Sequence, residues 1–187
     1  MAVNLRKGEK VNLSSVSNRV SGVIVGLGWD RAQDGTANVD CDASAILCGN
    51  DGKAFDVICF RKKYSDNKAV THTGDSQTGE GSGDNERIYI NFTKLPQNIG
   101  KIVICVNIYD ARAKRQHFGM INNAFVRVLN WKTGEEMFRF NLTDNYSGMT
   151  GIIAAEIFRT PSSWDFAPIG KAIQEASRLE SIVRLYR

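Results

Sequence analysis

Little in this chain invites a catalytic reading. It holds only two histidines, His72 and His117, so a Ser/His/Asp arrangement would need assembly from distant segments. No G-x-S-x-G elbow, P-loop or H-E-x-x-H helix occurs. The four cysteines, Cys41, Cys48, Cys59 and Cys105, form no C-x-x-C pair, which argues against structural zinc and for reduced, partly buried thiols. No stretch approaches the roughly 18 apolar residues of a membrane-spanning helix. The opening MAVNLRKGEK is charged and lacks an apolar run, so no signal peptide is expected and a cytoplasmic location follows. A net charge of +4 is too small for the footprint of a dedicated nucleic-acid binder.

What is present is a period of two. From Val39 to Leu47 the chain reads VDCDASAIL, with Val39, Cys41, Ala43, Ala45 and Leu47 on one face and Asp40, Asp42 and Ser44 on the other. Further strands are expected over Val20–Trp29, Phe55–Phe60, Arg87–Phe92, Lys101–Tyr109, Asn123–Asn130, Glu136–Leu142 and Ile152–Arg159, separated by turn residues such as Asn50-Asp51-Gly52 and Lys132-Thr133-Gly134. After Pro168, IGKAIQEASRLESIVRLY spaces its apolar residues by three and four, the period of a helix. With 187 residues and no Pro-rich linker, the expectation is a single domain, residues 1–187. Its class is mainly β: a two-sheet β-sandwich with a C-terminal helix.

Acidic residues gather in two places. The stretch THTGDSQTGEGSGDNE, Thr71 to Glu86, carries Asp75, Glu80, Asp84 and Glu86 without a lysine or arginine. Its glycines Gly74, Gly79, Gly81 and Gly83 let the backbone turn tightly and present carbonyl oxygens. A solvated acidic loop has the same composition. The second place narrows the choice: Asp40 and Asp42 share a strand face with Cβ atoms roughly 6–7 Å apart, and like charges so placed call for a cation or a basic partner. Calcium takes six to eight oxygens from carboxylates, carbonyls and water, which this set supplies. The EF-hand spacing is absent, magnesium keeps more of its water, and zinc prefers nitrogen or sulfur, of which only His72 is near. His72 itself reads as a surface hydrogen-bonding residue.

The run VGLGWD (Val25–Asp30) followed by VDCDASAIL resembles the TerD family, with its GLGWD turn and D-x-DAS strand. HTGDSQTGEGSGDNE (His72–Glu86) resembles that family's acidic loop, IYDARAKRQHFGMINNAFVRVLN (Ile108–Asn130) its central segment, and EIFRTPSSWDFAPIG (Glu156–Gly170) its ending. The four motifs fall in the family's order and span nearly the whole chain. Ser76, Asn85 and Phe158 depart from the usual Asn, Asp and Tyr, and Asn38 replaces a frequent acidic residue. The resemblance implies a β-sandwich holding Ca2+ and a cytoplasmic role in tellurite resistance or stress response. It also implies other stress-response proteins as partners, in assemblies at the inner face of the membrane, and no firmly attached enzymatic activity. Carried over residue by residue, it implies Asp40, Asp42, Asp75, Glu80, Asp84 and Glu86 as calcium ligands, with Gly81 and Asn85 as further oxygen donors and Asp30 as a ligand or a turn cap.

The other motifs have plainer readings. Asp110 is expected to hold a turn by accepting backbone hydrogen bonds. Arg61-Lys62-Lys63 and the group Arg112, Lys114 and Arg115 read as solvated faces. Trp29, Trp131 and Trp164 read as core or sandwich-edge aromatics. A metal-dependent phosphoester hydrolase and a nucleotide- or nucleic-acid-binding domain are the competing functions.

Overall fold

The computed structural model describes residues 6–13, 20–30, 39–74, 76, 83–142 and 146–187, and the backbone of 3–4. Among the described residues, two six-stranded sheets form a sandwich. Sheet A has the order β1 (Val3–Asn4), β10 (Glu136–Asn141), β9 (Asn122–Asn130), β3 (Gly22–Asp30), β7 (Glu86–Asn91) and β6 (Val70–His72). Sheet B runs β2 (Val11–Asn12), β12 (Trp164–Ile173), β11 (Gly151–Arg159), β8 (Ile99–Ile108), β4 (Cys41–Gly49) and β5 (Ala54–Ile58). Neighbours are antiparallel except β1 beside β10. Helix α1 (Ala111–Lys114) follows β8, and α2 (Leu179–Val183) lies near the chain's end.

Strand alternation produces the core between the sheets. Val23, Val25 and Leu27 of β3, Val126 and Val128 of β9, and Cys41, Ala43, Ala45 and Leu47 of β4 all point into it, with Ile102, Ile104, Val106 and Ile108 of β8. Sheet B has a second apolar layer on its outer face. Ile46, Cys48, Val103, Cys105 and Ile153 pack there beneath Ala176, Leu179 and Ile182 of the C-terminal segment. The strands in the middle of sheet B are therefore buried on both faces, which is why β4 and β8 read as almost continuous apolar runs.

The long terminal helix expected after Pro168 is replaced by strand. β12 continues through Pro168 to Ile173, pairing Ile152 with Ala172 and Gly151 with Ile173. A register shift between Ile153 and Ala155 and a left-handed Gly170 (φ 57°) break the strict alternation of β12. The apolar spacing across that irregularity imitates a helical period, and pairing with β11 overrides it. Helix survives only at Leu179–Val183, extended by a 3₁₀ turn at Arg184–Tyr186, where Leu179 and Ile182 pack on sheet B.

Candidate acidic site at one end of the sandwich

The antiparallel pairing of β3 with β7 brings Asp30, at the end of one strand, to the same edge as Glu86, at the start of the other. β4 begins there too, because Ala43 and Glu86 are directly bonded. The reason lies in the length of β5. That strand ends at Ile58 opposite Ala45, leaving the N–H and C=O of Ala43 without a strand partner on that side. Side chains from the other sheet complete the pairing. The N–H of Ala43 donates to Glu86 Oε2 at 2.7 Å, and His72 Nε2 lies 3.1 Å from the Ala43 carbonyl. His72 Nδ1 accepts the N–H of Gly74 at 3.1 Å, which leaves Nε2 as the nitrogen that donates. The other Glu86 oxygen accepts the N–H of Ser76 at 3.3 Å. Both side chains are fully buried, so this pair locks the two sheets together at their acidic end.

The surface role expected of His72 is thus overturned. It sits two residues from Val70 on β6, and the pleat turns both side chains inward. The V-T-H alternation was the signal that would have found it.

Asn85 and Asp84 tie the end of the acidic loop to sheet A. The N–H of Asn85 donates to the Leu27 carbonyl at 2.8 Å, and its side-chain Oδ1 accepts the N–H of Trp29 at 2.9 Å. The fully buried carboxylate of Asp84 accepts from Arg127 Nε at 2.6 Å and Arg87 Nε at 2.8 Å. It lies over Gly26, where a Cβ would fall on the Asp84 carboxyl group, while a Cβ on Gly28 would meet the Gly83 carbonyl and the Phe125 ring. The two glycines of VGLGWD therefore form the floor on which this part of the loop rests. Salt bridging raises the pKa of Arg87 and Arg127, the hydrogen bond to Asp84 being the leading cause for each.

The remaining expected ligands occupy different surroundings. Asp30 is exposed and accepts from Asn123 Nδ2 at 2.6 Å. Asp40 Oδ2 lies 3.8 Å from Lys114 Nζ, a basic partner that sequence proximity did not indicate. Asp42 is buried on the outer face of sheet B, opposite Asn107 of β8. Asp84 is on the outer face of sheet A, so the structure does not bring these two carboxylates together. Asp75, Glu80 and Gly81 fall outside the described residues. The thiol of the buried Cys41 has its pKa pushed well up, first by burial and then by the charges of Glu86, Asp40 and Asp42.

In kind, this oxygen set suits a hard cation such as calcium. In placement, Asp84 is held between two guanidinium groups, and among the described residues no three His, Cys, Asp or Glu side chains are grouped to hold a metal. What remains of the oxygen set is Asp40, Asp42 and Glu86, which approach β4 from different faces and are not grouped as a metal cage. Asp110 differs from expectation: its backbone is left-handed (φ 54°), and its side chain makes no capping bond to α1. Of the tryptophans, Trp29 and Trp164 are buried, the latter stacked on Phe92, and Trp131 stands at the sandwich edge. No helix among the described residues is long and apolar enough to cross a membrane.

Comparison with known proteins gives a consistent picture. The TerD domain model matches residues 1–186. The chain is 43% identical to stress response protein SCP2 of Bacillus subtilis (strain 168), with all of both chains covered. It is 38% identical to tellurium resistance protein TerD of Serratia marcescens, covering 100% of this chain and 97% of that one. Among solved structures, a Streptomyces coelicolor A3(2) homologue of telluride resistance protein (TerD) superposes with a TM-score of 0.69 at 22% identity, over 84% of this chain and 92% of that one.

Proposed function

The chain belongs to the TerD family, and from that premise we propose that it is a non-enzymatic, calcium-responsive interaction module of the stress and tellurium-resistance response. The observation that carries the calcium reading is that the charges of Glu86, Asp40 and Asp42 all act on the buried Cys41 thiol at the start of β4. Three carboxylates near one strand end raise the local negative potential, and a divalent cation relieves it. Asp40 and Glu86 lead into the acidic stretches on either side, so an ion there would draw further oxygens from the acidic loop. The ion would supply charge neutralisation and a fixed loop geometry. Because Glu86 also bonds Ala43 and Ser76, a cation beside it would act on the joint between the sheets as well as on the loop. That coupling suits a protein whose binding to cytoplasmic, membrane-associated stress-response partners changes with calcium.

Calorimetric titration of the chelated protein with calcium, repeated with magnesium, tests this reading. A ligand at 100 times its dissociation constant stabilises by about 2.7 kcal/mol, which in a domain of this size raises the melting midpoint by roughly 5–10 °C. Asp40→Asn should weaken calcium at least tenfold, about 1.4 kcal/mol. Asp56→Asn, whose carboxylate is tied to Lys62 instead, should leave the affinity unchanged. A melting curve indifferent to saturating calcium would remove the proposal. Metal-dependent turnover of a generic phosphodiester, lost in Asp40→Asn, would replace it with a hydrolase.

A further inference from the structure

The outer face of sheet B carries a second polar feature. Where its apolar layer ends, Asp42, Ser44 and Asn107 form the floor of a cleft of about 270 Å³. Tyr109 and Asp110 follow β8 along one wall, Phe60 and Arg61 follow β5 along another, and Ser177 to Glu180 close the third. The walls are tied together. The N–H of Asp110 donates to the Ser177 carbonyl at 3.3 Å, that of Arg112 donates to Ser177 Oγ at 3.1 Å, and Arg61 pairs with Glu180 at 3.3 Å.

The floor is chemically incomplete. Ser44 and Asn107 are 0% and 2% exposed, and Ser44 Oγ and Asn107 Oδ1 have no hydrogen-bond partner among the described residues. A buried acceptor left unpaired is destabilising. Two such atoms beside a buried carboxylate on neighbouring strands therefore mark a place where an outside donor is strongly favoured. The missing partner must donate hydrogen bonds, because the amide oxygen of Asn107 can only accept. It should also be cationic, because the charged lining (Asp42, Asp110 and Glu180 against Arg61 and Arg178) is acidic by one. A metal ion answers this poorly, since the floor has one carboxylate and no three ligating side chains are grouped among the described residues. A primary ammonium answers it well, with three N–H donors for the three floor oxygens and an alkyl stem to lie along the Phe60 and Tyr109 rings.

We propose that this cleft binds a primary ammonium group on a short alkyl chain, carried either by a free small amine or by the lysine side chain of a partner. The site shares Asp42 with the calcium reading but rests on Ser44 and Asn107, which that reading does not use. In chelator, the full chain is titrated with 1,5-diaminopentane, with lysine capped at both ends, and with 1-pentanol as the neutral control, followed by calorimetry and by amide NMR. Saturable binding is expected for the ammonium compounds and none for the alcohol. A preference for the diamine identifies a free amine, and a preference for capped lysine identifies a partner's side chain. Asn107→Leu should weaken the amine at least tenfold while raising the melting midpoint, since it removes a buried unpaired acceptor, and calcium affinity should not move. Ser44→Ala gives the same amine readout if the first variant does not fold. The assignment is overturned by the absence of saturation, by an equal response to pentanol, or by amine binding unchanged in both variants.

Discussion

The two outer faces of the sandwich are built from opposite materials. On sheet A, Asp84 links Arg87 to Arg127, Arg127 reaches Glu136 at 2.9 Å, and Glu136 holds Arg139 at 2.8 Å. The guanidinium of Arg139 then lies 4.1 Å over the Phe125 ring. On sheet B, the equivalent surface is apolar and covered by the chain's own tail. An antiparallel sheet needs only one buried face, and sheet A meets that minimum with a polar, ion-paired exterior. Sheet B exceeds it because Ala176, Leu179 and Ile182 fold back over its middle strands. Stability should therefore be most sensitive to lost volume on B and to lost charge on A, in that order.

The sharpest way to break the comparison is Ile182→Ala. The side chain is completely buried against the outer face of sheet B. Its helix spans only five residues and has no side-chain cap, so packing holds it in place and intrinsic propensity contributes little. Truncation should cost about 3 kcal/mol in urea unfolding, within the range for buried isoleucine and leucine deletions. A loss below about 1 kcal/mol would show that the tail covers sheet B without sealing it.

The corresponding change on sheet A is Asp84→Asn. Shape and one acceptor oxygen are retained, and the charge shared by Arg87 and Arg127 disappears. Because the carboxylate is fully buried while the two arginines keep access to water, the expected loss is about 2 kcal/mol, smaller than for Ile182→Ala. If the Asn variant is as stable as the parent at low ionic strength, the network on sheet A is a surface ornament and the comparison fails.

This contrast also explains which parts of the architecture were legible. Strands with a wet face, such as β9 with Arg127 between Val126 and Val128, announce themselves by alternation, and so did the two-sheet class. Asp42 and Ser44 alternate as well, but alternation does not show that the tail closes one wall over them. Only a long-range contact decides that, and local periodicity holds no record of it. The same blindness turned β12 into a helix, because the irregularity in its register shows only in its pairing with β11. At the acidic end, the residue types Asp40, Asp42 and Glu86 were readable, while where their side chains point was not. The arginines that hold Asp84 come from β7 and β9, and Arg127 lies 43 residues away. Gly26 and Gly28 were noticed as a motif, while their purpose, an absence of side chain beneath Gly83 and Asp84, required the loop to be in place.

The smallest expected effect sharpens the comparison by its pH dependence. The carboxyl of Glu136 is held below its ordinary value of 4.5, chiefly by the hydrogen bond from Arg139 and further by Arg127, against the opposing pull of partial burial. A carboxyl whose pKa is lower in the folded state than in the unfolded chain binds its proton less readily when folded. Its contribution is therefore fully present above 4.5 and is lost as the pH falls through the folded value. Glu136→Gln should be about 0.5–1 kcal/mol less stable than the parent at pH 7, in keeping with a partly exposed pair. That difference should narrow steadily in urea titrations carried below pH 4.5, because the parent's own carboxylate becomes neutral there. Ile182→Ala, which removes no charge, should keep its full deficit over the same range. A Gln variant whose deficit stays constant from pH 7 into acid would mean that shape and hydrogen bonding hold sheet A's exterior, and that charge contributes nothing there.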